Sequence, residues 1–378
     1  MVYRIGFVME QTLGQITHTQ NFMPWVAKDP EVEPTWILIP YDTPGPLRSV
    51  PIVGGNWTVR ASLTARARVR EVLRRQKLDA LFLHTQVTAL FAHRLMAEIP
   101  SVVSLDATPI NFDTVGGPYG HQPSHLPLIE GAKNALMRRT FSHAQKLVIW
   151  HQAGKRSLVD DYGVPAERVV VVPPGIDLEK WHFNREPADP SAPVRLLFVG
   201  GDFRRKGGET LLTAFRNRLM HECELDIVTR EPVDTNGMVN VRVHHGLGPN
   251  APELVALSAR ADVFIFPTLA DMLPLAVMEA LAAGLPVLAT NVGYLGEQVD
   301  DGVTGYLIEP GDEHALADAA LRLIRDPALR RTMGAAARRA AEERFNSAVN
   351  YPKILEACKQ CARLGTANAA GRRDRSRH

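Results

Sequence analysis

Lys206, Asp271 and Glu279 are the residues whose types and spacing point most directly to chemistry. Lys206 stands in Phe198-Val199-Gly200-Gly201-Asp202-Phe203-Arg204-Arg205-Lys206-Gly207-Gly208, between an apolar β-branched run and a helical pattern over residues 209–218. A glycine-rich turn from strand to helix brings backbone N–H groups close to a bound anion. The consecutive cations Arg204, Arg205 and Lys206 add side-chain charge suited to a diphosphate. The competing reading is a solvated basic loop. A Walker A loop is excluded, because its GxxxxGK[ST] order is absent.

The carboxylates lie in Pro267-Thr268-Leu269-Ala270-Asp271-Met272-Leu273-Pro274, which leads into Leu275-Ala276-Val277-Met278-Glu279-Ala280. Pro274 fits the first turn of a helix, where its missing N–H costs nothing. Asp271 then precedes the helix, and Glu279 lies ~7.5 Å beyond Pro274 along its axis. The helix N-terminus can meet a phosphate while carboxylates on either side accept hydrogen bonds from hydroxyl groups such as those of a sugar. For Glu279 the alternative is a structural ion pair. Its apolar neighbours argue against a plain solvated face, since a buried carboxylate needs a partner.

The elements that position these groups alternate along the whole chain. Buried strands are predicted at 5–9, 35–40, 80–84, 101–105, 146–150 and 169–172, with a helical pattern most evident over 58–76. A Pro-rich break over 187–193 precedes a second series at 195–199, 224–228, 239–244, 263–267, 286–289 and 305–308. Strand–helix alternation implies parallel sheets covered by helices on both faces. The expected fold class is α/β, with two tandem Rossmann-like domains and ligands held outside the carboxyl ends of the strands, in an interdomain cleft.

A chain of 378 residues suits two domains, and its 45% apolar and 22% charged residues are ordinary for a globular protein. Disordered, fibrous and disulfide-scaffold classes are therefore excluded. The net charge of +2 hides an uneven distribution. Lys359, Arg363, Arg372, Arg373, Arg375 and Arg377 face Asp374 alone in the last stretch, so the body is mildly acidic and lacks a basic face for nucleic acid. Cys223, Cys358 and Cys361 fit a reducing compartment, and the lone CxxC has no second ligand pair for zinc. Early charges argue against a signal peptide, and Glu279 within the most apolar stretch argues against a bilayer span. The expected location is cytoplasmic. The Arg-rich segment 60–77 leaves peripheral contact with an anionic membrane open, beside the plainer reading of a solvated helix face.

The glycine loop through Lys206-Gly207 and the pair Asp271 and Glu279 resemble the donor-site motifs of GT-B glycosyltransferases, in particular the retaining family 4 or group 1 glycosyltransferases. Val171-Val172-Pro173-Pro174-Gly175-Ile176-Asp177 is similar to that family's Pro-Asn-Gly-Val-Asp turn, and Asp301-Gly302-Val303-Thr304-Gly305-Tyr306-Leu307-Ile308 to its Gly-x-Thr-Gly-x-Leu strand. The stretch 326–345 resembles its closing helix pair. The resemblance covers most of 165–345. It implies transfer of a sugar from a nucleoside-diphosphate sugar, with retention and with no metal or other cofactor. Lys206, Arg205, Asp271 and Glu279 would act at the reacting centre. Donor binding would involve Gly14, Gly200, Gly201, Arg204, Arg230, Gly246, Met272, Leu273, Pro274 and Leu275. The implied layout is an acceptor domain over 1–186, a linker over 187–193, a donor domain over 194–345, a helix over 346–364 packing back on the first domain, and a basic disordered tail over 365–378.

On the acceptor side, Leu13-Gly14-Gln15-Ile16-Thr17-His18 sits where the family has a glycine-rich loop, and Asp106 where a His or His-Asp pair is common. His18 is a candidate acceptor contact or a structural histidine. Asp106 is a candidate for acceptor contact or proton uptake, or a helix or turn cap. Two departures stand out. Gly200-Gly201 replaces the family's usual Gly-Arg, so Arg204 or Arg205 is expected to supply the second cation, and Asp271 replaces the usual first glutamate. The acceptor is expected to be a glycan, lipid-linked or small molecule. A phosphorylase would need a cofactor lysine site, and an epimerase other acid–base residues. A non-catalytic nucleotide-sugar-binding protein is the alternative from a different class.

Overall fold

The computed structural model describes residues 1–41, 55–121, 125–183 and 192–375, with the backbone alone for 366–375 and for Leu13. Most of the expected 187–193 linker lies outside the described residues.

Two six-stranded sheets organise the chain, and every strand pairing in them is parallel. The first contains β1 (Tyr3–Gln11), β2 (Val32–Pro40), β3 (Ala80–His84), β4 (Ser101–Leu105), β5 (Lys146–Ile149) and β6 (Val169–Val171), in the order β2-β1-β3-β4-β5-β6. The second contains β7 (Val194–Val199), β8 (Cys223–Val228), β9 (Val241–His244), β10 (Val263–Phe266), β11 (Val287–Thr290) and β12 (Gly305–Ile308), in the order β12-β11-β10-β7-β8-β9. The expected strands are all present, with ends shifted by a few residues at most. Inner strands β3, β4, β10 and β11 are buried at every position, because helices cover both faces of a parallel sheet. That is why they read as continuous apolar runs in the sequence.

Compact unit one comprises 1–111, 123–175 and 348–378, and unit two comprises 112–122 and 176–347. The division differs from the expected one in two places. Segment 112–121 clusters with the second unit, and the chain first passes from unit one to unit two after Gly175 instead of after residue 186. The last helix, Ser347–Arg375, buries Tyr351, Ile354, Leu355, Cys358 and Cys361 against Ile5, Phe7, Phe82 and Val102 of the first sheet. The two cysteines are thus core residues. The helical backbone also continues past 364, through part of the tail expected to be disordered. Ala367, Ala369, Ala370, Arg372 and Arg373 are strong helix formers, which favours that continuation despite Gly365 and Gly371. Residues 376–378 lie outside the described residues.

Strand order reverses direction at β1/β3 in the first sheet and at β7/β10 in the second. In such sheets a crevice opens at the carboxyl ends of the two strands flanking the reversal, and ligands bind there. The loops that follow β7 and β10 carry Lys206 and Asp271.

Candidate functional site

The loop after β7 can be built only with glycines at particular points. Gly207 has φ +79°, and a Cβ there would lie 1.7 Å from the carbonyl oxygen of Pro267. Only glycine allows the β7 and β10 loops to come that close. A Cβ on Gly200 would lie 2.9 Å from Cβ of Lys206, so the missing side chain makes room for the lysine stem. Further bonds lock the loops together. Leu269 N–H donates to the Arg205 carbonyl at 2.9 Å, and the Thr268 hydroxyl donates to the same oxygen at 3.2 Å.

The loop's cations are in three different situations. Lys206 Nζ forms a direct ion pair with Asp271 Oδ2, and both side chains are largely buried. Burial holds the ammonium below its ordinary value, and Asp271 opposes that shift. Arg205 is 7% exposed. It donates to Asp202 Oδ2 at 3.0 Å and to the Ala270 carbonyl at 2.8 Å, and its guanidinium lies 4.2 Å from the ring centre of Tyr119. Arg204 points away, with its side chain 85% exposed and 3.8 Å from Glu209. Arg230 follows the end of β8, with its guanidinium against Gly201. Gly246 lies just past the end of β9, with φ +76°.

Helix Leu275–Ala282 begins one residue later than expected, and Pro274 is its N-cap. The proline carbonyl accepts a 3.1 Å hydrogen bond from the Gln298 amide. Met272, Leu273 and Leu275 are buried around this turn. Met272 N–H donates to Asp271 Oδ1 at 3.2 Å, orienting the carboxylate that meets Lys206. Glu279 is on the second turn of the helix and is 7% exposed. Its carboxyl makes no side-chain hydrogen bond or salt bridge among the described residues, so the alternative of a structural ion pair finds no partner there. Burial raises its pKa to about 8, partly offset by the charge of Lys180.

In the first unit, β1 ends at Gln11 and helix Leu13–Lys28 starts two residues later. The segment from Leu13 to His18 is therefore helical and not the glycine-rich loop expected there. Gly14 sits in the first turn, exposed. Burial of Gln15, Thr17, His18, Phe22 and Val26 draws the helix onto the sheet this early. His18 is 0% exposed, packed among Phe22, His84, Trp150 and Tyr351. It has no surface to offer an acceptor, and burial lowers its pKa to about 3.

Asp106 follows the end of β4 and is partly exposed. Its Oδ2 accepts a 2.9 Å hydrogen bond from the Gln15 amide, whose oxygen in turn meets His84 Nε2 at 2.7 Å. The hydroxyl of Thr108 takes the Asn111 N–H at 3.1 Å, a capping duty that Asp106 was a candidate for. Sequence reasoning missed Glu10. This residue is 6% exposed near the end of β1, and its carboxyl accepts from the hydroxyls of Thr12 and Thr85. Burial raises its pKa to about 7, and nearby Asp106 adds to the rise. The signal was an acid closing the apolar run Phe7-Val8-Met9, where a strand buried on both faces has no place for an unpartnered charge.

The family described as "Glycosyl transferases group 1" matches residues 193–326, and "Glycosyltransferase Family 4" matches residues 24–180. Each half of the chain is thus similar to glycosyltransferases of group 1 and family 4. A D-inositol 3-phosphate glycosyltransferase of Arthrobacter sp. (strain FB24) is 32% identical over 219 residues, covering 53% of this chain and 52% of that protein. The chain thus spans about half the length of the curated relatives it matches. A sucrose-phosphate synthase from Thermosynechococcus elongatus superposes with a TM-score of 0.75 at 16% identity, over 95% of this chain and 98% of that one. The Anabaena protein HepE, in complex with UDP and glucose, gives 0.65 at 16% identity over 95% and 100%. At this identity the structures establish the fold, which is the two-domain α/β GT-B fold. Among the described residues no helix is long and apolar enough to cross a membrane.

Proposed function

We propose that the chain transfers a sugar from a nucleoside-diphosphate sugar to an acceptor, with retention at the anomeric carbon and without a divalent metal. The observation that carries this reading is in the second unit. The Lys206–Asp271 pair lies just before helix Leu275–Ala282, and the buried carboxyl of Glu279 on that helix makes no side-chain hydrogen bond or salt bridge among the described residues. A carboxylate with unused acceptor capacity suits the ribose hydroxyls of a nucleotide. The relative HepE, which was crystallised with UDP and glucose, supports a nucleotide-sugar donor.

In the proposed reaction the bond from the anomeric carbon to the diphosphate oxygen breaks, and the electron pair leaves with the nucleoside diphosphate. Lys206 stabilises the negative charge that develops there, in a largely dry setting where a fixed cation is most effective. Asp271 orients the transferred sugar through its hydroxyls. The acceptor oxygen bonds to the anomeric carbon from the face the diphosphate leaves, and its proton passes to the departing phosphate oxygen. On the acceptor side, Asp106 is held in place by Gln15 and His84 to receive acceptor hydroxyls.

The test is a panel of nucleoside-diphosphate sugars offered with candidate glycan, lipid-linked and small-molecule acceptors. Steady release of nucleoside diphosphate, unchanged by a chelator, is expected, and the anomeric coupling in the product's proton spectrum reports retention. Binding without turnover for every donor would support the non-catalytic alternative, and inversion would overturn the stereochemical part.

A further inference from the structure

We infer that Arg230 supplies the second cation for the donor's diphosphate, in place of the arginine expected from the glycine loop itself. This deepens the donor reading and rests on it. The arginines within the loop are otherwise engaged. Arg204 faces solvent and Glu209, and Arg205 is buried with its fork on Asp202, the Ala270 carbonyl and the Tyr119 ring. Lys206 alone would then face two phosphates.

Arg230 reaches the same loop from the neighbouring strand. A Cβ built on Gly201 would lie 2.8 Å from Arg230 Nε, 3.0 Å from Nη2 and 3.1 Å from Cζ. The guanidinium therefore fills the space where residue 201 would carry a side chain. Adjacent glycines thus make room for two cations, Gly200 for Lys206 and Gly201 for Arg230.

The backbone around Arg230 is held. Thr229 N–H donates to the His244 carbonyl at 3.1 Å, and Phe203 N–H donates to Glu231 Oε2 at 3.1 Å, tying the segment to β9 and to the glycine loop. The guanidinium itself is exposed and makes no hydrogen bond or ion pair among the described residues. Its N–H groups are free for a ligand. A planar fork can grip two oxygens of a phosphate at once, which a lysine ammonium cannot do.

The experiment titrates the full chain calorimetrically with UDP, ADP and GDP and with the corresponding monophosphates, in wild type, Arg230→Ala, Gly201→Ala and the double variant. Arg230→Ala should weaken the preferred diphosphate ~10–100-fold and the monophosphate far less, as expected for loss of a charged hydrogen-bonding group. Gly201→Ala keeps the arginine but puts a methyl group where the guanidinium lies. It should weaken the diphosphate in the wild-type background and add little once Arg230 is absent. Arg230 is exposed, so folding should survive its removal, and a thermal melt checks this. Equal loss for diphosphate and monophosphate, or an unchanged Kd in Arg230→Ala, overturns the inference and leaves the donor reading standing. Failure of the wild type to bind any of the nucleotides overturns both.

Discussion

Glu279 holds its proton near neutrality through burial, and that sets how nucleotide binding should respond to pH. Its pKa is raised to about 8, and the ionised form, with both oxygens accepting, holds a pair of hydroxyl donors more strongly than the protonated acid does. Below about 8 a nucleotide that prefers the ionised carboxylate releases up to one proton on binding, so affinity should rise with pH by up to ~10-fold per unit and level off above that value. Calorimetry between pH 6 and 9 checks this, and Glu279→Gln should bind weakly with a flat profile. Lys206 and Asp271 make a second expectation at this scale. Lys206→Gln removes the cation facing the leaving group and should lower kcat by ~10²–10³-fold, the range for loss of one electrostatic stabiliser. Asp271→Asn frees the ammonium from its partner, so nucleoside diphosphate should bind at least as tightly as to wild type while turnover falls. A parallel loss of both in Asp271→Asn would place that carboxylate in support of Lys206 and not against the sugar.

Among the elements, the loops at β7 and β10 tolerate least change. Gly207→Ala drives a methyl group into the Pro267 carbonyl and forces an L-residue to keep φ +79°. Strain of this kind costs on the order of 1–3 kcal/mol before the steric clash is counted, so the melting temperature should drop by several degrees. Gly237, with φ +74° and nothing within 4 Å of its missing Cβ, isolates the φ contribution and should respond more mildly to the same change. Helix Trp57–Arg75 is a different case. Its buried side carries Ala61, Ser62, Ala65 and Val69, and its other residues include Arg66, Arg70, Arg74 and Arg75. If that charge rests on an anionic bilayer, the protein should sediment with phosphatidylserine vesicles at low salt and release as salt rises. Absence from the pellet at low salt leaves the helix as a solvated face.

For the whole molecule, the buried imidazoles His18 and His84 tie stability to pH. Both are held below the ordinary histidine value by burial, His18 at about 3. The unfolded chain therefore binds protons below about 6.5 that the folded chain refuses, and stability falls as pH drops, by ~1.4 kcal/mol per unit for each ring. Glu10 and Glu279, raised to about 7 and about 8, act with the opposite sign, and their contribution is lost as pH rises through those values. The imidazole share is isolated by comparing wild type with His18→Phe in urea at pH 7 and pH 5. The variant should lose less stability on acidification, and an equal loss would mean that His18 is protonated without cost in the fold.

The amino-acid order by itself determined the two series of strands, because inner parallel strands are buried on both faces and leave unbroken apolar runs such as Leu81-Phe82-Leu83 and Val263-Phe264-Ile265. It also singled out Lys206, Asp271 and Glu279, since each is a charge set beside apolar or glycine-rich neighbours that cannot satisfy it. Only the tertiary structure decided which of these cations are free. Arg204, Arg205 and Arg230 are the same residue type on neighbouring loops, yet one faces solvent, one is held by Asp202 and Ala270, and one lies over Gly201. Likewise His18 proved to be core, and Glu10 proved to be buried near Asp106. Exposure and the partner across a sheet depend on residues far away in the chain, and local spacing carries no record of them.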